Sequence, residues 1–107
     1  MAKYSKTLTA DGTASFDLKR PRHADFGRYT LFAVGDFGSG TVTAEASPDG
    51  GTTDVAIKDS SGNAVSETAA FIVNFELMSD ADNPVKLEVN LASSTDPDLD
   101  IYVFDNS

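Results

Sequence analysis

The sequence contains no cysteine and no tryptophan among its 107 residues. Without cysteine there are no disulfides and no thiolate metal ligands, which excludes a disulfide-stapled scaffold. No segment repeats its apolar residues with the period of a helix over a useful length. No apolar run reaches the length needed to cross a membrane. These absences leave a chain whose regular structure must come from strands.

Basic residues are scarce and unevenly placed. Eight Lys and Arg stand against seventeen Asp and Glu, for a formal net charge of −9. This balance argues against a nucleic-acid binder, because phosphate contacts need a concentrated positive surface. Residues 1–28 nevertheless hold six of the eight basic side chains. We expect them to form either solvated surface or a docking surface for an acidic partner. The residues that would serve such docking are Lys3, Lys6, Lys19, Arg20 and Arg22.

The N-terminal residues 1–6 (MAKYSK) run straight into a strand pattern without the apolar stretch of a secretory signal. We therefore expect a protein made in the cytoplasm. A chain of this length supports one domain with a modest core, so residues 1–107 are expected to form a single β-sandwich domain. Residues 1–10 are expected to be either an arm or an edge strand.

The clearest local structure is a hairpin over residues 41–62. Apolar and polar residues alternate over residues 41–47, which is typical of a half-buried strand. Residues 47–50 (SPDG) follow, with proline suited to a type I turn and glycine where the chain leaves it. Val55 and Ile57 then form a short return strand. The hairpin carries no catalytic group.

Further strands alternate in the same way, and residues 28–34 (RYTLFAV) are apolar on both faces. A strand of that kind is central in a sandwich or lies in a subunit contact. In the second case, Tyr29, Leu31 and Phe32 would contact a partner. Seven or eight short strands separated by polar turns predict an all-β fold. The expected architecture is a sandwich of antiparallel strands, either jelly-roll or immunoglobulin-like.

Two clusters of acidic side chains are candidate calcium sites, because calcium takes several hard oxygen ligands that converge on one point. The first is Asp96, Asp98 and Asp100, at spacings i, i+2 and i+4. It lacks the glycine and glutamate positions of an EF-hand, so loop carbonyls would have to complete the site. The alternative is a solvated acidic loop. A second cluster of this kind is Asp80, Asp82 and Asn83.

No side chain stands out as catalytic. His23 is the one histidine, and no Ser or Cys can be argued to lie beside it. A domain this small also has little room for a substrate cleft. We expect a non-enzymatic protein without a cofactor. Three tyrosines could stack on sugar rings, with packing in the core or at an interface as the alternative. They are Tyr4, Tyr29 and Tyr102.

The hairpin and the strand before it resemble a pattern in small virion proteins of tailed bacteriophages and prophages. The matching segments are residues 29–35 (YTLFAVG), 41–53 (TVTAEASPDGGTT), 75–77 (FEL) and 86–89 (KLEV). The resemblance spans roughly residues 28–91 and departs at Asp54, where an aromatic residue is usual.

This resemblance implies a β-sandwich that acts as a capsid decoration or cement protein, or as a tail or fibre component. It implies binding to the major capsid protein and to other copies of the chain, since such proteins often act as trimers. The expected location is the capsid surface of the virion, after synthesis in the host cytoplasm. Neither nucleic acid nor a membrane is an expected partner.

Residues 95–105 (TDPDLDIYVFD) are similar to a strand of bacterial pre-peptidase C-terminal domains, which are secreted β-sandwiches. The turn that follows this strand in that family is not found here. The resemblance implies an alternative function, a secreted-type module that binds glycans or cell surfaces. Its acidic loop, with Asp96, Asp98 and Asp100, would be organised by calcium.

Overall fold

The computed structural model describes residues 2–18, 27–77 and 85–106, and this part of the chain contains nine β-strands. The strands are β1 Ala2–Leu8, β2 Gly12–Leu18, β3 Gly27–Asp36, β4 Thr41–Ser47, β5 Val55–Ala56, β6 Ser66–Glu67, β7 Phe71–Leu77, β8 Val85–Ala92 and β9 Asp98–Asp105. The predicted all-β class is confirmed. The strand beyond the seven or eight expected is β6, which has two residues.

The strands form two antiparallel sheets. The four-stranded sheet has the order β1-β9-β3-β7, and the five-stranded sheet has the order β2-β8-β4-β5 with β6 also paired to β4. From β1 to β4, and from β7 to β9, each step along the chain crosses to the other sheet. Consecutive long strands therefore never pair, unlike the strands of an immunoglobulin sandwich. This arrangement is a double-sheet jelly roll, the first of the two predicted topologies.

β1 is an edge strand of the four-stranded sheet. Its register on β9 runs from Ala2 opposite Asp105 to Leu8 opposite Leu99. Tyr4 packs on the core, with its ring edge-on to Phe16 at 6.4 Å between centroids. Because β2 belongs to the other sheet, the β1–β2 connection closes the sandwich on this side. An edge strand is one of the two structures expected for residues 1–10.

The core lies between the sheets and is built from the alternate side chains of each long strand. Leu18, Leu31, Leu87, Leu99 and Ile101 are 0% exposed. Burial of one such side chain contributes about 1.5–3 kcal/mol relative to leaving it exposed. Both sheets supply these residues, so each sheet depends on the other for its stability.

Two glycines allow the end of β3 to approach the segment before β9. Gly35 has φ +106, and a Cβ there would lie 2.5 Å from the carbonyl oxygen of Asp98. Gly38 has φ +59, and its Cβ would lie 2.5 Å from the carbonyl oxygen of Thr95. The Gly38 carbonyl accepts a hydrogen bond from the Thr95 N–H at 2.8 Å. Since a side chain would collide with backbone at both positions, glycine is needed here.

Candidate functional site

The centre of the outer face of the four-stranded sheet is apolar. Five of its residues, called the aromatic face below, come from β3, β7 and β9: Phe32, Val34, Ile72, Tyr102 and Phe104. Ile72 is 61% exposed and the other four are half-buried. Phe32 meets Phe104 edge-on at 5.5 Å between ring centroids. Each described strand belongs to one of the two sheets, so none of them lies over this face. A contiguous apolar area that stays partly exposed on a sheet is a candidate interaction site.

The outer face of the five-stranded sheet carries polar side chains where the aromatic face carries apolar ones. Thr13 Oγ1 donates to Asn90 Oδ1 at 2.6 Å, and Asn90 Nδ2 donates to Glu45 Oε1 at 3.0 Å. Partial burial raises the pKa of Glu88, and the nearby Asp54 carboxylate raises it further. Hydrogen-bonded polar side chains in rows are typical of a sheet surface that faces water.

Basic side chains lie at one end of the aromatic face. Lys3 is opposite Phe104 in the register of β1 and β9, and its Nζ is 5.5 Å from the centre of the Tyr102 ring. This distance fits a cation–π contact. Arg28 lies at the same end of β3, with its Nε 3.6 Å from Oε1 of Glu76 on β7. Both side chains of that ion pair are more than 60% exposed.

Acidic side chains lie at the opposite end. Asp36 of β3 is paired with Asp98 of β9, and Val34 is paired with Asp100. Asp98 and Asp100 share the outer side of β9, as the alternation predicts. Asp100 Oδ1 accepts a hydrogen bond from Thr7 Oγ1 at 2.8 Å. The outer face therefore runs from a basic end through an apolar centre to an acidic end.

The structure does not bring the predicted basic docking residues together as one described surface. Lys3 lies at the aromatic face, whereas the Lys6 Nζ is 5.4 Å from the Phe16 ring, on the core side of β1. Three members of the set lie outside the described residues, as does His23: Lys19, Arg20 and Arg22. Docking through the basic segment stays a prediction.

The three residues expected at a subunit contact divide between the two faces of β3. Tyr29 and Leu31 are buried in the domain core, at 1% and 0% exposure. A partner does not reach them, so the expectation that they contact one is wrong. Tyr29 instead stacks on Phe75 at 5.6 Å between ring centroids. β3 is central in its sheet, between β9 and β7. Because Phe32 points outward, β3 also contributes to the aromatic face.

The calcium site predicted from Asp96, Asp98 and Asp100 depends on loop carbonyls as further ligands and stays a prediction. Within residues 2–18, 27–77 and 85–106, no group of three His, Cys, Asp or Glu side chains is placed to hold a metal ion. Asp98 and Asp100 lie on the outer side of β9, two residues apart. The second candidate cluster, Asp80, Asp82 and Asn83, lies outside the described residues.

The turn between β4 and β5 is held by its own side chains. Ser47 is fully buried, donates its hydroxyl to Asp49 Oδ1 at 2.8 Å and accepts the Gly51 N–H at 2.8 Å. Asp49 Oδ1 also accepts the Thr53 N–H at 2.7 Å. The Thr53 N–H, the Thr53 hydroxyl and the Ser47 hydroxyl lower the pKa of Asp49. The conspicuous SPDGGTT segment is therefore a structural turn.

Two surface cavities were not predicted from the sequence. One of about 430 Å³ opens between β7 of one sheet and β5 of the other, where Val55 is 60% exposed. The other, of about 400 Å³, adjoins the aromatic face beside Ile72. The aromatic face itself had a signal in the sequence, because β7 and β9 also carry apolar residues at their outward positions. Only β3 was interpreted as apolar on both sides.

Among the described residues, no helix is long and apolar enough to cross a membrane. No protein-family model matches the sequence, and no curated protein matches it. Among solved structures, the chain is similar to the K1 cleaved adhesin domain of Lys-gingipain from Porphyromonas gingivalis W83, with a TM-score of 0.47 and 16% sequence identity. That match covers 94% of this chain and 66% of the adhesin domain, so the chain spans about two thirds of its length.

Proposed function

We propose that this chain is a non-enzymatic structural protein of a tailed-phage virion. In this proposal it is a capsid decoration or cement protein that binds the major capsid protein and other copies of itself. The proposal begins from the resemblance of residues 29–53 to such proteins. The hydrogen bonds of Ser47 and Asp49 support a structural role for that segment, since they hold a turn between strands.

The observation that carries the proposal is the difference between the two outer faces of the sandwich. Polar side chains cover one face, whereas the other presents Phe32, Ile72, Tyr102 and Phe104 at its centre, beside the hydrogen-bonded Thr30 and Asn74. A protein that acts by binding a large surface needs such an apolar area. Burial of apolar surface stabilises a contact by about 25 cal/mol per Å² before the entropy of association is subtracted.

The topology adds support by analogy. Jelly rolls occur in viral capsid proteins, and also in lectins and cupins. The fold alone therefore does not select a function. It is compatible with a virion role and places the aromatic face on a rigid sheet, which suits a protein whose task is to bind without rearranging.

Binding to capsids tests the proposal. Capsids assembled without this protein would be mixed with the purified chain and sedimented, and the bound chain measured. We expect saturable binding that Ile72→Asp weakens at least tenfold. Val55→Asp is the matched control, because Val55 is 60% exposed against 61% for Ile72 and lies on the other sheet. The proposal would be contradicted if the chain did not bind capsids whose genes lie beside its own. It would also be contradicted if both variants lost capsid binding to the same extent.

A second candidate function is glycan binding, favoured by the position of Tyr102. Its ring lies at the centre of the aromatic face, level with Phe32 in the register. Exposed aromatic rings on a sheet are suited to stacking on sugars. Retention of the chain on a polysaccharide matrix, lost in Tyr102→Ala and unaffected by chelators, would favour this candidate over the capsid.

A further inference from the structure

We propose that the aromatic face binds the aromatic face of a second copy of this chain, in a two-fold symmetric dimer. The inference rests on the proposed function, which requires the aromatic face to bind a partner. It adds that one such partner is another copy of this chain. It is carried by the arrangement of charge around the apolar centre. The symmetry replaces the trimer that the sequence resemblance implies.

The register fixes where each charged residue lies relative to the centre. Phe32 of β3 is opposite Tyr102 of β9, and Tyr102 is opposite Ser5 of β1. On β1, Lys3 lies two residues to one side of this level and Thr7 two residues to the other. On β3, Arg28 lies four residues to one side of Phe32 and Asp36 four residues to the other.

These equal offsets have a direct consequence for a two-fold contact. Consider an axis in the contact plane, perpendicular to the strands and level with Phe32 and Tyr102. It places each strand over the same strand of the other copy, running in the opposite direction. Lys3 then lies over Thr7 of the partner copy, one strand away from the partner copy's Asp100. Arg28 lies over the partner copy's Asp36.

Charge complementarity therefore follows from the symmetry operation itself. Each copy brings Lys3 and Arg28 to the other copy's acidic end, where Asp36, Asp98 and Asp100 outnumber the Glu76 carboxylate that already pairs with Arg28. Each pair occurs twice because the contact is isologous. The apolar centre meets itself, so Phe32, Ile72 and Tyr102 face the same residues of the partner copy. Sheets pack face to face at about 10 Å, with strand directions within about 30° of each other, which leaves these pairs within side-chain reach.

The size of the face predicts the strength of the contact. Four strands about 4.8 Å apart and eight residues long, at about 3.4 Å each, give a face of roughly 500 Å². Two copies would bury roughly 1,000 Å² in total, the lower limit for a specific interface. We therefore expect a dimer that assembles at about micromolar concentrations and dissociates on dilution.

Charge reversal tests the pairing, with sedimentation equilibrium of the purified full chain as the measurement. Lys3→Glu and Asp100→Lys are each expected to raise the dimer dissociation constant about tenfold, because each disrupts two symmetric pairs. The double variant restores the pairs with their signs exchanged. Its dimer dissociation constant is therefore expected to lie within about threefold of the original value. Lys58→Glu, on the exposed β5–β6 connection, is the matched control and should leave dimerisation unchanged.

Each outcome bears on the inference. Thermal melts of dilute samples establish that every variant is folded, so lost dimerisation is not lost structure. A chain that stays monomeric at hundreds of micromolar, or that forms trimers, would overturn the dimer. Single variants without effect, or a double variant weaker than both singles, would overturn the pairing of Lys3 with Asp100. Capsid binding is measured separately, so a dimer that ignores capsids would contradict only the proposed function.

Discussion

The Ser47 hydroxyl oxygen lies 2.8 Å from Asp49 Oδ1, inside a turn that is otherwise open to solvent. Ser47 is fully buried, so its hydroxyl replaces water as the partner of groups that the turn would leave unpaired. The same oxygen accepts the Gly51 N–H at 2.8 Å. The buried serine thereby joins both ends of the tight part of the turn.

Replacement of Ser47 by alanine is expected to lower the free energy of unfolding by about 1–3 kcal/mol, because the Gly51 N–H loses its acceptor and the Asp49 carboxylate loses a donor. Urea unfolding followed by circular dichroism measures this difference. Ser60→Ala, in the exposed turn after β5, should stay within about 0.5 kcal/mol. Equal effects of the two substitutions would show that the hydroxyl of Ser47 does not hold the turn.

The carboxylate of Asp49 gives the turn a defined response to acid. Hydrogen bonds from Thr53 and Ser47 lower its pKa from the ordinary value of 3.8. A lowered folded-state pKa contributes stability that is present above 3.8 and lost as the pH falls through the folded value. Asp49→Asn should therefore reduce stability at neutral pH, and its difference from the original chain should close below pH 3.8. Urea unfolding of both proteins at a series of pH values tests this. A difference in the free energy of unfolding that does not depend on pH would contradict it.

Alanine at Gly35 is expected to destabilise the fold by about 1–3 kcal/mol, because it forces a strained backbone conformation and a collision with the Asp98 carbonyl. Gly12→Ala is the control, since a Cβ at Gly12 meets nothing within 4 Å. That substitution should be neutral or stabilising by up to about 1 kcal/mol, through a less flexible unfolded chain. Thermal melts of the two variants make the comparison. A midpoint for Gly12→Ala at or below that for Gly35→Ala would contradict the prediction.

The division of β3 into a core side and an outer side predicts two different phenotypes. Leu31→Ala should lower the free energy of unfolding by about 2–5 kcal/mol at any protein concentration, because it leaves a cavity in the core. Phe32→Ser should have a smaller effect on a dilute sample and should weaken self-association. Unfolding measured at two protein concentrations separates these outcomes. A concentration-dependent effect of Leu31→Ala would contradict the core assignment.

Calcium is expected to leave the thermal midpoint unchanged, because no group of three acidic or histidine side chains among the described residues is placed to hold a metal ion. A specific ion at a hundred times its dissociation constant would contribute about 2.7 kcal/mol. That would raise the midpoint by several degrees in a domain of this size. Differential scanning fluorimetry with millimolar calcium, against magnesium and a chelator, makes the comparison. A rise specific to calcium would reinstate the acidic loop as a site.

The alternation of side chains predicts much of this structure. The boundaries of β4 match the prediction, and Val85, Leu87, Val89 and Leu91 of β8 point to one side as expected. The topology had to come from the structure, because periodicity shows which side of a strand is buried and not which strand lies beside it. β6 escaped prediction since Ser66 and Glu67 carry no apolar alternation, and it exists only because β4 offers a free edge.

The candidate site was likewise predicted only in part from the sequence. Phe32 was identified from the sequence, whereas its neighbours Ile72 and Tyr102 come from strands distant in the chain and meet it only through the sheet order. Grouping Tyr29 and Leu31 with Phe32 was wrong for a simple reason. Apolar residues on both sides of a strand indicate that each side is either buried or able to bind a partner. They do not indicate which side faces the core.

The position of β9 between β1 and β3 has a consequence for how the protein folds in the cell. β1 leaves the ribosome about ninety residues before its only partner in the sheet, which at 5–20 residues per second is a delay of about 5–20 s. During that delay both β1 and β3 present unpaired backbone edges to other nascent chains. The four-stranded sheet therefore cannot be completed before β9 is synthesised, and during that interval exchange of β1 between copies competes with correct pairing.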